Sequence, residues 1–233
     1  IALRANVRDD AINCRHVIVD GFGSDDVPYG FVLDNGTTDG GQVFWVRFYT
    51  QGANTIAAPT GIEVYGVHVR QGPGTGIQVS TDGSEQFNRG NWMHEDLRIH
   101  HNRVEDAGDE GFYIGYFTDG VDPAPHKMHR SRIYRNRIEN TGWDGLQVSN
   151  SVDLEVHHNV VIDAGRENTA NQRSVMQVNS GNRDAWFFRN TLIGTMEGGV
   201  DVQVGCTGGD LTFFGNTMEA PNGVYVHGGA SDG

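Results

Sequence analysis

Apolar and polar residues alternate in short runs along this chain, and one form of the alternation returns at intervals of about twenty to thirty-five residues. The copies are Leu97–Val104, Ser131–Ile138, Leu154–Val161, Ala185–Leu192 and Leu211–Met218, and each carries an Asn at one fixed place: Asn102, Asn136, Asn159, Asn190 and Asn216. Period-two alternation predicts a strand, and the Asn predicts a bend that tolerates left-handed backbone while its amide bonds to the chain. A second strand follows in the form Gly-apolar-x-apolar, at Gly111–Ile114, Gly145–Val148, Gly199–Val202 and Gly223–Val226, with Gly76–Val79 and Gly30–Leu33 as upstream copies.

A coil of this length cannot bury its own apolar face. Stacking coils in parallel pairs each strand with the next and lines up Asn over Asn as an internal ladder. An antiparallel sandwich would instead need hairpin dipeptides between neighbouring strands, and the recurrent Asn lies between a strand and a short extended piece. The expected fold is all-β: a right-handed parallel β-helix of about seven coils forming one domain over residues 1–233. Over residues 14–229 the chain resembles the right-handed parallel β-helix repeat family, the pectate-lyase-like solenoids that include polygalacturonases and alginate epimerases. Asp109–Gly115 and Thr141–Val148 are similar to segments of secreted bacterial members without a settled activity. The resemblance specifies fold more than reaction, because one fold hosts many chemistries.

Aligned on their glycines, the coils place Phe112, Leu146, Val200 and Val224 inward, together with Ile114, Val148, Val178, Val202 and Val226. Between them an outward row reads Gln78, Tyr113, Gln147, Gln177, Asp201 and Tyr225, and a second reads Asp34, Ser80, Ser149, Asn179, Gln203 and His227. Amides and aromatics with little charge suit sugar rings, so these rows, with Trp143 beside them, are the candidate polysaccharide-binding groove. A plain outer face is the alternative.

Glu110 and Asp144 each precede the glycine of successive coils, which sets their backbones about 4.8 Å apart. Paired carboxylates serve glycosidases at about 5 Å or 6.5–9.5 Å, and with Asp109 the same pair could hold calcium, the one cofactor expected. Repulsion between them would raise one pKa and supply an acid; an ordinary acidic rim is the bland alternative. Insertions collect on one face of a solenoid, and the two longest, 116–130 and 165–173, carry His126, Lys127 and His129, and Arg166 and Arg173. Within the family resemblance, a lyase acting on uronic acid needs a cation for the carboxylate and a base for the C5 proton, which makes Lys127 and Arg173 catalytic candidates beside Glu110 and Asp144. His100–His101 and His157–His158 would suggest zinc, but Tyr134, Phe188 and Phe214 share the row of His100 and His157, which favours a stack of rings. Trp92, Trp143 and Trp186 could be sugar platforms or covers for the solenoid edge.

Composition narrows the choice of partners. A net charge of −13 without a visible basic patch argues against nucleic acid. No apolar run reaches the ~18 residues of a membrane span, so no direct insertion is expected. Hydrophobic residues at 37% suit a thin core, and no linker divides the chain despite 33 Gly. Cys14 and Cys206 fall at opposite ends of the coil scheme and are expected as free thiols. The start at Ile1 suggests a fragment of a longer, secreted or cell-surface chain. The functional expectation is a carbohydrate-active solenoid that binds, and as lyase or hydrolase cleaves, a polysaccharide; a non-catalytic adhesion or structural module is the alternative.

Overall fold

The computed structural model describes residues 16–34, 43–48, 60–81, 93–115, 127–179, 181–194, 199–204 and 209–228. These form a right-handed parallel β-helix. Its strands make three parallel sheets of nine, seven and seven members, joined by one antiparallel pair, Phe22–Ser24 with Val27–Tyr29. One coil runs through Arg98–His100 in the first sheet, Arg103–Glu105 in the second and Phe112–Ile114 in the third. The next coil repeats the path through Arg132–Tyr134, Arg137–Glu139 and Leu146–Val148, each strand in register with the one before.

Three-residue strands can work here because each needs to bury only one or two side chains. Strands of the first two sheets put their middle residue inward, giving the column Val64, Ile99, Ile133, Val156, Phe187 and the column Val69, Val104, Ile138, Val161, Leu192, all buried. Third-sheet strands put both ends inward and the middle outward, so Phe112 and Ile114 lie over Leu146 and Val148. At about 1.5–3 kcal/mol per large apolar side chain, these columns are the main source of cohesion. The inward assignments hold for Phe112, Ile114, Leu146, Val148, Val178, Val200 and Val202, all buried, whereas Val224 and Val226 of the last described coil are 53% and 61% exposed because no further described coil lies over them.

The corners are set by single residues with positive φ. Between the first and second sheets these are His101, Arg135, His158 and Arg189, each the residue before the repeated Asn. The Asn therefore does not take the left-handed conformation expected of it. It follows the bend and turns its amide inward. Asn136 Nδ2 donates to the Ile99 carbonyl at 2.9 Å and to Asn159 Oδ1 at 3.0 Å, and Asn159 and Asn190 repeat the arrangement toward Asn190 and Asn216. The expected ladder is present from Asn102 to Asn216 and satisfies backbone groups that the turn would otherwise leave buried and unpaired.

One strand differs from its expected place. Gly30–Leu33 matches the Gly-apolar-x-apolar form, yet Phe31–Asp34 pairs with Val67–Arg70 in the second sheet, and the upstream member of the third sheet is Phe44–Phe48. The form is degenerate: Gly66-Val67-His68-Val69 fits it too and also belongs to the second sheet. Asp34 accordingly leaves the proposed outward row and pairs with Arg70 at 3.1 Å.

Candidate functional site

The outward face of the third sheet gathers most of the predicted binding residues. Its middle positions stack as Gln78, Tyr113, Gln147, Gln177, Asp201 and Tyr225 in consecutive register, with Trp45 ahead of them. The second row continues the strands: Ser149 N donates to the Ile114 carbonyl, Asn179 N donates to the Val148 carbonyl, and Gln203 pairs with His227. The side chains of Lys127, Gln203 and His227 lie outside the description, as do His126, Trp92, Cys14, Cys206 and the 116–126 insertion. Between Ser80 and Ser149 the row is interrupted at Gly115, whose φ is +92° and where a Cβ would strike the Ser149 carbonyl.

The face is not a uniformly open groove. Gln147 and Gln177 are each only 2% exposed, and Ser149 and Asn179 are also buried, whereas Gln78, Tyr113 and Asp201 are half-buried and Tyr225 is exposed. The insertion at 165–173 lies beside the middle of the row: Gln177 Nε2 donates to the Asn171 carbonyl at 3.1 Å. This insertion is folded against the preceding coil, with Gly165, Arg166 and Glu167 amides donating to the carbonyls of Trp143, Thr141 and Gly142. Trp143 is half-buried and its Nε1 donates to Glu167 Oε2, while half-buried Arg173 donates to Asn168 Oδ1 at 3.0 Å. Several acceptors in this buried strip, Gln147 Oε1, Ser149 Oγ and Asn179 Oδ1, have no hydrogen-bond partner among the described residues. Buried polar atoms in folded proteins are nearly always bonded, so such a group of orphans is the usual mark of a place that receives water or a polar ligand.

Glu110 and Asp144 stand in adjacent coils, with Gly111 N donating to the Asp144 carbonyl at 2.9 Å. They belong to a longer buried file that starts at Thr75 and ends at Ser174. Thr75 Oγ1 donates to Glu110 Oε2 at 2.8 Å, and Asp144 Oδ1 accepts the Ser174 amide at 2.6 Å, leaving Asp144 Oδ2 buried without a partner. Burial pushes both carboxyls up, that of Asp144 far above the usual range, and the charges of Glu110 and outward-row Asp201 push Asp144 further. Burial also raises Asp109, with Glu167 adding to it. These groups are therefore biased toward the neutral acid. Among the described residues no three His, Cys, Asp or Glu side chains converge as a metal site. Thr75 was legible, since it precedes Gly76 as Glu110 precedes Gly111; Ser174 was hidden because Val175, like Val43 upstream, stands where most coils have glycine.

The His pairs belong to a ring stack on the first sheet. Tyr65, His100, Tyr134, His157, Phe188 and Phe214 lie face to face at centroid separations of 4.6–5.1 Å and interplanar angles of 5–17°. Each coil adds one ring. Sugar cannot lie on these faces because neighbouring rings already occupy them. Trp186, at 38% exposure, sits on the same sheet two residues before Phe188.

No protein-family model matches the chain, and no curated protein matches it either.

Proposed function

We propose that the outward face of the third sheet binds a linear polysaccharide, in a protein that works outside the cell or on its surface. The observation that carries this is the outward row of amides and aromatics, Gln78, Tyr113, Gln147, Gln177, Asp201 and Tyr225, stacked in register over consecutive coils, with the unpartnered acceptors Gln147 Oε1, Ser149 Oγ and Asn179 Oδ1 at its middle. Hydroxyl groups spaced along a glycan suit polar side chains repeated coil by coil at about 4.8 Å, and half-buried Tyr113 and exposed Tyr225 offer apolar ring surface in the same row. The face is polar and only sparsely charged, which favours hydroxyl recognition over ion pairing.

A second reading, cleavage, draws on Asp144. Its raised pKa keeps a proton near the row, and its unpartnered Oδ2 could turn that proton toward a glycosidic oxygen. Its full burial weighs the other way, since an acid must reach the bond it protonates.

A glycan array tests binding, followed by titration of the best polymer against Gln147→Ala and Gln177→Ala. Each variant is expected to bind about fivefold more weakly, the equivalent of one hydrogen bond of ~1 kcal/mol. A parent that binds no glycan, or variants that bind as the parent does, would overturn the proposal. Incubation of bound polymers with the parent and Asp144→Asn, read as new reducing ends and as absorbance of unsaturated uronate, separates the two readings.

A further inference from the structure

The corner between the first and second sheets carries a line of nitrogen-bearing side chains that neither the sugar face nor the core requires. Its left-handed positions are Gly66, His101, Arg135, His158, Arg189 and Gly215, at φ of 53–68°. Glycine adopts this conformation freely and other residues do so at a cost. The outermost two positions are glycine. The four between them accept the strain, and all four are Arg or His. Backbone bonds from His101 N to the Tyr134 carbonyl, Arg135 N to His157, His158 N to Phe188 and Arg189 N to Phe214 show that these residues sit one directly above another in consecutive coils. Parallel pairing then spaces them at about 4.8 Å, a line roughly 14 Å long.

The arginines of this line differ from most of the others. Seven described arginines, Arg70, Arg98, Arg103, Arg130, Arg132, Arg137 and Arg166, lie against a carboxylate. Arg135 and Arg189 are exposed and make no ion pair with a described residue, in a chain whose net charge is −13. The two histidines of the line, His158 between the arginines and His101 beyond Arg135, are held edge-on to the ring stack: His101 at 82° to His100 and 79° to Tyr134, His158 at 84° to His157 and 78° to Phe188. Each shares a proton Nδ1 to Nδ1 with its neighbour, at 2.7 Å for His100–His101 and 2.8 Å for His157–His158. His100 Nε2 donates to Glu63 Oε1, so the His101 Nδ1–H serves His100, whereas exposed His158 can present its Nε2–H when its Nδ1 accepts from His157.

We infer that this corner is a second binding site, for a linear acidic glycan bearing a carboxylate or sulfate on its repeating units. A guanidinium presents paired N–H groups that match such anions, and the one imidazole between the two guanidinium groups, His158, supplies a single bond on the same line. The strip is one residue wide. Carboxylates of Glu63 and Glu155 lie on the first sheet beside it, and those of Glu105 and Glu139 lie on the second. A single narrow chain can follow the line without meeting them, whereas a nucleic-acid duplex or a flat anionic membrane would meet both flanks. The site is separate from the outward face of the third sheet and does not depend on it.

The test measures binding of the whole protein to polygalacturonate, heparin, neutral dextran and oligo(dT) at two salt concentrations. The variants are Arg135→Gln, Arg189→Gln, the double change, and the double change to glycine. Polygalacturonate or heparin is expected to bind more tightly than dextran or oligo(dT). Each single Arg→Gln should lower that affinity about five- to tenfold and reduce the salt dependence by close to one ion, in the manner of other polyanions. The double glycine variant should lose binding while melting at or above the temperature of the parent, because glycine relieves the left-handed strain; a merely structural role would not separate these two readouts. Unchanged affinity in either double variant, equal binding of dextran, or tighter binding of oligo(dT) overturns the inference. The double arginine variants should leave the binding of an uncharged polymer at the third sheet unchanged, which keeps this site distinct from the proposal for that sheet.

Discussion

Asn102 directs two donors, its backbone N–H and its side-chain Nδ2, at the single Oδ1 of Asn136, at 3.0 and 3.1 Å. Asn136 treats Asn159 in the same way. The corner is thus held by a chain of amides in which each member is both acceptor for the coil before and donor to the coil after.

Asn136→Leu removes the acceptor for Asn102 and the donor to the Ile99 carbonyl, leaving buried groups unpaired. It is expected to lower stability by about 1–3 kcal/mol, read from the midpoint of chemical unfolding. An unchanged midpoint would contradict the ladder.

Ser131 interrupts an apolar file, lying between Leu97 and Leu154, with its Oγ buried and unbonded. Ser131→Ala removes a desolvated hydroxyl and keeps the volume nearly constant. The expected result is a gain of about 1 kcal/mol, measured the same way.

Asp144 makes a prediction about pH. Its folded-state pKa is raised, so above the ordinary carboxylate pKa of 3.8 the unfolded chain loses a proton that the folded chain retains. Fewer protons in the unfolded state means that stability falls as pH rises from that point toward the folded pKa. Asp144→Asn keeps an acceptor for the Ser174 amide and removes the ionisation. The variant should melt higher than the parent at pH 7 and differ little from it at pH 3.5.

His157 predicts the opposite slope. Burial, His158, Arg132 and Arg135 lower its pKa from 6.5 to about 4, so between these values the unfolded chain takes up a proton first and stability is lost as pH falls. His157→Phe extends the ring type already present at Phe188 and Phe214 and has no charge to gain. Its melting temperature should fall less than that of the parent between pH 6.5 and pH 4. Parallel curves for the two proteins would remove His157 as the cause.

The alternation of residues by itself determined the solenoid, the Asn ladder and the inward columns. Stacked coils repeat one local arrangement, so a short pattern recurring along the chain states the contacts of each residue with its neighbours above and below. It also determined the ring file, since Tyr134, His157 and Phe188 occupy one alternation position and parallel register leaves no other arrangement for them. Tertiary structure decided what the outward face became. Outward in the pattern of a strand means only away from the solenoid axis, and Gln147 and Gln177 are outward yet buried; Gln177 bonds the Asn171 carbonyl of the insertion just before its strand, whose path the alternation does not state. The sheet taken by Phe31–Asp34 was likewise not legible, since strands of both the second and third sheets satisfy the same short form. The left-handed residue was misplaced by one position for a related reason: Asn is the side chain best suited to such a bend, but here its amide was needed inside, and the strain passed to the His or Arg before it.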